Sequence, residues 1–262
     1  MPRNGFTLAI LALLSLTHGV AATARCAAES GPRRVALLEL YTSEGCDSCP
    51  PTDRWVSALP QRGLAPDRVV TLAFHVDYWN YLGWNDPFAR PEYSARQRAA
   101  SHRNKARVVY TPQLLLDGAD YRPGRLRDDV ADRVSAINQR KLAAYIRLKL
   151  APAQGGALAV EGVAIVTDPE RRGGARAWLA LYENNLATDV KAGENRGKRL
   201  RHDFVVRALA GPFPVAPAGE AALAHRFPLA SRWKAADLHV ASFVQHEGTG
   251  EVLQALALPY CR

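Results

Sequence analysis

A Cys-x-x-Cys motif directly after an apolar run is the feature that most limits what this chain can fold into. The motif spans Cys46 to Cys49; it follows the run Val35 to Tyr41 and precedes two prolines at 50–51. Such a run indicates a buried strand, and prolines suit a first helical turn. The unpaired N–H groups at a helix start favour a thiolate. We therefore predict an exposed, reactive Cys46 that forms a reversible disulfide with Cys49.

Three other readings of the two cysteines remain open at this point. They could form half of a zinc site, an inert structural disulfide, or a pair of buried thiols. Zinc needs a second pair of ligands at similar spacing, and the sequence has no second Cys-x-x-Cys. The redox interpretation is therefore the leading one.

The first residues predict a secretory signal peptide over 1–24. Arg3 is their one charge, the apolar run Phe6 to Leu16 follows, and Ala22 to Ala24 gives a small-x-small cleavage pattern. The apolar run is about half the length that a bilayer span needs. We expect a mature chain that begins near Arg25, has no membrane span and is periplasmic or secreted.

Two further cysteines stand near the ends of that mature chain. Cys26 lies next to its start and Cys261 is the penultimate residue. An oxidising compartment lets disulfides persist, so we predict a structural disulfide between Cys26 and Cys261. The alternative is two free thiols in frayed segments.

Length, composition and charge limit the kinds of partner that we expect. The chain has 262 residues, of which 48% are apolar, and a net charge of +9. The basic residues are not interleaved with stacking aromatics, and no nucleic-acid motif occurs, so no nucleic-acid partner is expected. We predict a monomer without a cofactor, acting on protein or small-molecule thiols and disulfides.

Hydrophobic patterning divides the chain into two parts. The part over 25–150 has the order strand, helix, strand, helix, strand, strand, helix, with strands at 35–41, 69–75, 108–110 and 113–116. The part over 151–262 opens with a linker or wide turn at 151–156. Its strand candidates lie at 158–166, 175–182, 204–209, 222–227, 238–245 and 251–258. We predict an antiparallel, sandwich-like β unit packed on the first part.

The order of elements in the first part, with the cysteines at the first strand-to-helix junction, resembles the thioredoxin fold. The predicted fold class is therefore α/β, thioredoxin-like, with an additional C-terminal β-rich unit. The resemblance implies that Thr111-Pro112 is the cis-proline whose loop faces the cysteines and shapes a docking groove. It also implies that Glu39, on the preceding strand, relays a proton for Cys49. The alternatives are an ordinary trans-proline and a satisfied carboxylate.

Several stretches also resemble one secreted bacterial family of thioredoxin-like proteins, the domain-of-unknown-function 1223 family. They are Glu39 to Pro51, Phe74 to Phe88, Val109 to Gln113, Gly193 to Gly197 and Val205 to Leu209. The resemblance covers nearly the whole mature chain. It implies the fold but no particular activity.

The run from His75 to Phe88 is the second unusual feature. It follows the second strand and is rich in aromatic and acidic side chains. Because the ends of parallel strands gather at a functional edge, His75, Asp77 and Trp79 are predicted to line a substrate groove. The plainer interpretation is an aromatic plug over the end of the sheet.

His75 also supports a different mechanism. Copper chaperones of the Sco type resemble this pattern in combining a thioredoxin fold with two cysteines and a histidine, and soft thiolates suit copper. The alternative metal ligands are Cys46, Cys49 and His75. A third possibility is a non-enzymatic binding module with a static disulfide. The leading prediction is an exported thiol-disulfide oxidoreductase in which Cys46 exchanges and Cys49 resolves.

Overall fold

The structure is a computed structural model that describes residues 26–123 and 128–261, together with Met1. Apart from Met1, the predicted signal peptide over 1–24 and the expected new terminus at Arg25 lie outside the described residues. The described residues contain three α-helices and fourteen strands.

The helices are α1 (Cys49–Ser57), α2 (Pro91–Arg103) and α3 (Val130–Asn138). The strands are β1 (Ala27–Glu29), β2 (Ala36–Thr42), β3 (Val69–His75), β4 (Gln113–Leu116), β5 (Ala119–Tyr121), β6 (Ala144–Ala153), β7 (Ala157–Val166), β8 (Ala175–Glu183), β9 (Leu186–Asp189), β10 (Arg199–His202), β11 (Val205–Pro214), β12 (Glu220–Pro228), β13 (Leu238–His246) and β14 (Val252–Pro259). No helix within the described ranges is long and apolar enough to cross a bilayer.

An eight-stranded mixed sheet forms the centre of the molecule. Its strand order is β14-β13-β8-β11-β3-β2-β4-β5. Strands β2 and β3 run parallel from the pair Ala36 and Val69 to the pair Thr42 and His75, and β4 is antiparallel to β2. Every residue of β2 and β3 is buried, which explains their near-continuous apolar sequences.

The helices follow simple sequence signals. In α1 the prolines at 50–51 occupy the first turn, where no backbone N–H has a helical partner to lose. In α3 the apolar stripe Val130, Val134 and Ile137 is buried against the sheet. The predicted strand at 108–110 is wrong: Val108 and Val109 lie in a loop and are 65% and 39% exposed.

A second sheet packs on the C-terminal strands of the central one. It is antiparallel, with the order β1-β6-β7-β12, and β9 and β10 form a separate ribbon. In β6, Ile146, Leu148 and Leu150 alternate with exposed residues and face a buried apolar cluster that includes Leu179 and Val240. This packing gives the sandwich-like arrangement of the second half. The six strands predicted there correspond to β7, β8, β11, β12, β13 and β14.

The two halves share one sheet rather than forming two separate layers. The boundary predicted at residue 150 falls inside β6, and the predicted linker is the end of β6 with a hairpin turn at 154–156. Strand β11 pairs in parallel with β3 through Val205 and Ala73. The core of the first half is therefore completed by strands of the second.

Candidate functional site

The two motif cysteines are joined in a tight turn between β2 and α1. A disulfide links Cys46 and Cys49, whose Cα atoms are 5.5 Å apart. The backbone N–H of Cys49 donates to the carbonyl oxygen of Cys46, and that of Cys46 donates to Ser43. Helix α1 begins at Cys49, so Cys46 lies three residues before the helix rather than at its first position.

The prediction that Cys46 is exposed is wrong for this structure. Cys46 is 1% exposed because two loops cover its turn. The side-chain amide of Asn195 donates to the carbonyl oxygens of Glu44 and Cys46, both at 2.8 Å, and Glu194 accepts from the N–H of Asp47 at 3.0 Å. We call Trp79, Glu194 and Asn195 the cap.

Trp79 covers the turn from the other side. A Cβ placed on Gly45 would lie 3.1 Å from the Cβ of Trp79, so the turn approaches the tryptophan with little room for any larger residue. The indole nitrogen of Trp79 donates to the hydroxyl of Thr111 at 2.7 Å. Trp79 therefore connects the cysteine turn to the loop that carries Pro112.

The Thr111–Pro112 peptide bond is cis, and the loop lies beside the end of β2. The residue after it, Gln113, pairs with Tyr41. An open pocket of about 420 Å³ adjoins this loop and the start of α1. Its walls are largely apolar and aromatic, and they include Pro51, Trp55, Tyr110, Pro112 and Tyr121.

Beneath the disulfide lies a buried group of five titratable residues, Glu44, Asp53, His75, Asp86 and His202, which we call the carboxylate–histidine cluster. None of them is more than 6% exposed. They come from the cysteine turn, α1, β3, the loop after β3 and β10. Residues distant in sequence thus converge on one interior site.

Two histidines hold the carboxylate–histidine cluster together. His75 Nδ1 lies 2.7 Å from Asp86 Oδ2, and His202 Nε2 lies 3.1 Å from Glu44 Oε1. The other ring nitrogen of His202, Nδ1, lies 3.8 Å from Asp53 Oδ2. The two imidazole rings meet edge to face with centroids 5.0 Å apart.

The environment of these groups shifts their proton affinities. Burial raises the pKa of Asp53, although the nearby His202 and His75 oppose the rise. Burial alone would lower the pKa of His75, but the charge and hydrogen bond of Asp86 outweigh it and raise that pKa. Burial likewise acts to raise the pKa of Asp86, and His75 reverses this and lowers it. His75 and Asp86 therefore form a charged pair, while Asp53 holds its proton to higher pH than an ordinary carboxyl.

The structure does not bring Glu39 to the cysteines. Its carboxylate accepts from Arg96 Nε on α2 at 2.7 Å and from the Tyr41 hydroxyl at 3.3 Å. Tyr41 stacks on Phe74, so these side chains share the face of the sheet that α2 covers. His75, the next residue of β3, points to the opposite face, toward Asp53 and His202. The proton-relay role expected of Glu39 has no contact to support it.

Two of the three predicted groove residues also lie elsewhere. His75 is fully buried in the carboxylate–histidine cluster and lines no groove. Asp77 is tied to Ser94 of α2, whose hydroxyl donates to the Asp77 carboxylate and accepts from its backbone N–H. Only Trp79 lies between the cysteine turn and the Pro112 loop.

The remaining cysteines join the two ends of the described chain. A disulfide links Cys26 and Cys261, 235 positions apart, and the carbonyl oxygen of Cys26 accepts from the N–H of Leu150. The bridge lies on the sandwich side of the molecule, away from the cysteine turn.

The alternative metal set Cys46, Cys49 and His75 receives no support from the geometry. The two sulfurs are joined covalently to each other, and His75 Nδ1 is engaged in a hydrogen bond with Asp86. Within residues 26–123 and 128–261, no group of three or more His, Cys, Asp or Glu side chains is arranged to hold a metal ion.

Sequence reasoning missed Asp53 and His202. Asp53 follows Cys49 by four residues, a spacing that places both on one face of a helix, and this signal could have identified it. His202 belongs to an exposed-buried alternation in a short strand, and nothing local distinguishes it from a core residue.

Comparison with known proteins shows the family of the chain and no activity. Among solved structures, protein AGR_C_4864 from Agrobacterium tumefaciens is 25% identical with a TM-score of 0.61, and the match covers 87% of this chain and 96% of that one. HBP35 of Porphyromonas gingivalis is 16% identical with a TM-score of 0.65, over 88% of this chain and 76% of that one, a likeness in fold alone. No curated protein matches. The model of the family described as "Protein of unknown function (DUF1223)" matches residues 37–245, so the chain belongs to the DUF1223 family.

Proposed function

We propose that this protein is a thiol-disulfide oxidoreductase that acts through Cys46 and Cys49. The observation that carries the proposal is the disulfide at the junction of β2 and α1, beside the cis Thr111–Pro112 loop. A disulfide that closes a loop of only four residues removes less chain entropy from the unfolded state than a long-range bridge does, so it adds less stability to the fold. Its placement at the end of a central parallel strand is where α/β proteins carry their chemistry.

The order of elements supports a thioredoxin-like core for the first half. Four strands of the central sheet lie side by side in the order β3-β2-β4-β5. Helix α1 connects β2 to β3, α2 connects β3 to β4, and α3 follows β5. In that arrangement Cys46 would be the exchanging cysteine because it lies in the turn, outside the helix. Cys49, which is completely buried on α1, would resolve the mixed disulfide.

The pocket beside Pro112 supports a peptide or protein partner that carries a thiol. Its apolar and aromatic walls lie next to the first turn of α1, so a partner seated there would have its sulfur near Cys46. We propose protein or small-molecule thiols and disulfides as substrates. We further propose that the protein is a monomer and acts in the periplasm or outside the cell, where disulfides persist.

A static disulfide in a binding module is the second candidate function. The observation that favours it is the 1% exposure of Cys46 under the cap. An exchange reaction requires the cap to move aside so that an attacking sulfur can reach the bond. A static bridge requires no such movement.

Equilibration with a glutathione redox buffer separates the two candidates. The thiols of Cys46 and Cys49 are alkylated and quantified by mass spectrometry after proteolysis, with the Cys26–Cys261 bridge followed in the same digest. A working pair should titrate well above roughly −300 mV, whereas a structural bridge should resist reduction to that potential. A pair that stays oxidised throughout would contradict the proposal and favour the static module.

A Cys46→Ser variant provides the matched control for this measurement. It removes the exchanging sulfur but leaves Cys49 buried on α1. We expect it to lose all reversible exchange with glutathione while keeping the fold. Exchange that survives in this variant would mean that Cys46 is not the reacting sulfur.

A further inference from the structure

A cleft between α2 and the strands of the second half is a feature that thiol exchange does not use. It has a volume of about 380 Å³, within the range of small-molecule sites. One wall is α2, and the other is formed by β8, β11 and the end of β13 with the turn after it. Its described lining includes no residue of the cysteine turn or of the carboxylate–histidine cluster. The cleft is therefore separate from the disulfide.

Trp178 on β8 gives this cleft an aromatic wall. Its ring lies beside that of Phe243 on the adjacent strand, with centroids 6.3 Å apart and planes inclined by 13°. Gly211 of β11 approaches it closely, because a Cβ placed there would lie 3.0 Å from the Trp178 ring. The indole is half-buried and held between its neighbours, so it presents a fixed apolar surface to the cleft.

Arg96 on α2 lies above these rings and is already fully engaged. Its guanidinium carbon is 5.2 Å from the centre of the Trp178 ring and 5.0 Å from that of Phe243. Its Nε donates to Glu39 at 2.7 Å and its Nη2 donates to the side-chain oxygen of Gln245 at 3.0 Å. Because Glu39 balances its charge, Arg96 is part of the wall and needs no anion from outside.

Arg103, two turns further along α2, is a cation of the cleft without a counter-ion. It is half-buried, it forms no ion pair with any described residue, and its Nε is buried without a hydrogen-bond partner. A Cβ placed on Gly250 would lie 3.1 Å from that Nε, so the arginine sits close against the turn after β13. A bound carboxylate would supply the missing charge and acceptors.

An acidic residue at the other end of the same helical stripe limits the charge of a ligand. Glu92 lines the cleft, is exposed and lies about 16 Å of helix away from Arg103. Glu247 also lines the cleft, but it is paired with Arg176 at 3.1 Å. A ligand with a second negative charge at its far end would meet Glu92, so the lining favours a single carboxylate on an apolar body.

We propose that this cleft binds a small aromatic monocarboxylate, with its ring against Trp178 and its carboxylate on Arg103. The inference goes beyond thiol exchange and does not depend on it. A free small molecule suits the volume, since a stable protein partner would need a contact of roughly 800 Å² on each side.

The test is isothermal titration calorimetry of the full oxidised chain with naphthoate, a two-ring carboxylate. Naphthamide has the same rings without the charge, and acetate has the charge without the rings. We expect naphthoate to bind saturably with one molecule per chain, and naphthamide and acetate to bind at least about tenfold more weakly, because each lacks one of the two contacts. Equal affinity for naphthoate and naphthamide, or no saturable binding of naphthoate, would overturn the proposal.

The variant Arg103→Met tests the charge contact. It should weaken the binding of naphthoate at least about tenfold and leave that of naphthamide unchanged. Arg98→Met removes an exposed arginine of the same helix that does not line the cleft, so it is the matched control and should bind as wild type does. An unchanged affinity in Arg103→Met would show that the arginine does not hold the carboxylate.

A second variant keeps the test decisive if Arg103→Met does not fold. Ala99 is exposed and lines the cleft, so Ala99→Trp should fill it and abolish the binding of naphthoate. Ala95→Trp, at an exposed alanine one turn earlier that lies outside the lining, should not. Binding that survives in Ala99→Trp would place the ligand elsewhere. A short peptide with a carboxyl-terminal phenylalanine that binds more tightly than naphthoate would overturn the small-molecule assignment in favour of a protein chain end.

The two proposals of function can fail separately. Binding of naphthoate is measured with the Cys46–Cys49 bond intact, whereas exchange is measured with glutathione and no naphthoate. A chain that binds naphthoate but never exchanges with glutathione would keep the cleft assignment and contradict only the oxidoreductase.

Discussion

At the scale of single residues, the pair of His75 and Asp86 shows how the interior beneath the disulfide is held together. Both side chains are completely inaccessible and their closest atoms are 2.7 Å apart. Asp86 also accepts from the backbone N–H groups of Glu44 and Phe88, so it fixes both the cysteine turn and the loop after β3. A buried pair of this kind gains little net stability, but removal of one partner leaves a charge unpaired in the interior.

The replacement Asp86→Asn should therefore lower the free energy of unfolding by about 3 to 5 kcal/mol. The measurement is urea unfolding at pH 6, with Asp67→Asn as the control for loss of a surface carboxylate. An Asp86→Asn protein as stable as the control would show that His75 is uncharged in the native state.

The same pair predicts how stability depends on pH. The pKa of His75 is raised in the folded protein, so its contribution is complete below its ordinary value near 6.5 and is lost as pH rises through the folded pKa. The pKa of Asp86 is lowered, so its contribution is present above about 4 and is lost on acidification through the folded pKa. We expect the melting temperature to fall between pH 7 and 9 in wild type. In Asp86→Asn this fall should be smaller, and a fall of equal size would contradict the assignment.

At the scale of elements, the loop between β9 and β10 reaches from the second half over the cysteine turn. Asn195 is fully buried and donates to two backbone carbonyls of that turn, those of Glu44 and Cys46. Lys198 donates to the Asn195 side-chain oxygen and so holds the amide in this orientation. The position of the cap therefore depends more on the side chain of Asn195 than on the basic charge of the loop.

Replacement of Asn195 by Ala should open the cap. The loss of buried hydrogen bonds costs about 1 to 3 kcal/mol, and each 1.4 kcal/mol corresponds to a tenfold change in the population of an opened state. The rate of reduction of Cys46–Cys49 by a water-soluble phosphine should rise about tenfold or more. Arg196→Ala, the exposed neighbour in the same loop, should leave the rate unchanged. Equal rates in both variants would mean that the cap does not limit access to the sulfur.

The sequence predicts which segments form strands and helices far better than it predicts which of these elements lie next to each other. Apolar runs locate β2 and β3 because such runs depend only on residues close together in the chain. The run at 108–110 fails because two valines and a tyrosine look like a strand although no partner strand accepts them. The contacts of Asn195 and His202 with the cysteine turn span about 150 positions, and no local pattern encodes such a distance.

At the scale of the whole molecule, the continuous sheet predicts that the first half does not fold alone. Without β11 and the preceding Phe204, whose carbonyl oxygen accepts from the N–H of Ala73, the buried edge of β3 becomes exposed. The fragment 25–150 would also lack His202 and Asn195. We expect it to show no near-ultraviolet circular dichroism and to aggregate, whereas a soluble fragment with dispersed amide resonances would contradict the shared-sheet view.

The Cys26–Cys261 bridge makes a separate prediction about the whole chain. It closes a loop of 235 residues on the sandwich side. The double variant Cys26→Ser/Cys261→Ser should lose about 2 to 5 kcal/mol of unfolding free energy, measured with urea under non-reducing conditions. Exchange at Cys46 should be unaffected because the bridge lies away from the turn. A changed reduction potential for Cys46–Cys49 would show that the two bridges are coupled.

The pairing of β3 with β11 has a consequence for how such a chain can change over generations. The strands of the second half lie on one side of this pairing, which we call the seam, and those of the first half lie on the other, so neither half offers a finished surface on which the other could be exchanged. A chimaera that takes its first half from this chain and its second from a relative must bring together two seam strands, a loop and a histidine that fit. Recombination within the gene is therefore expected to yield folded proteins only where both seam strands, β3 and β11, come from the same parent.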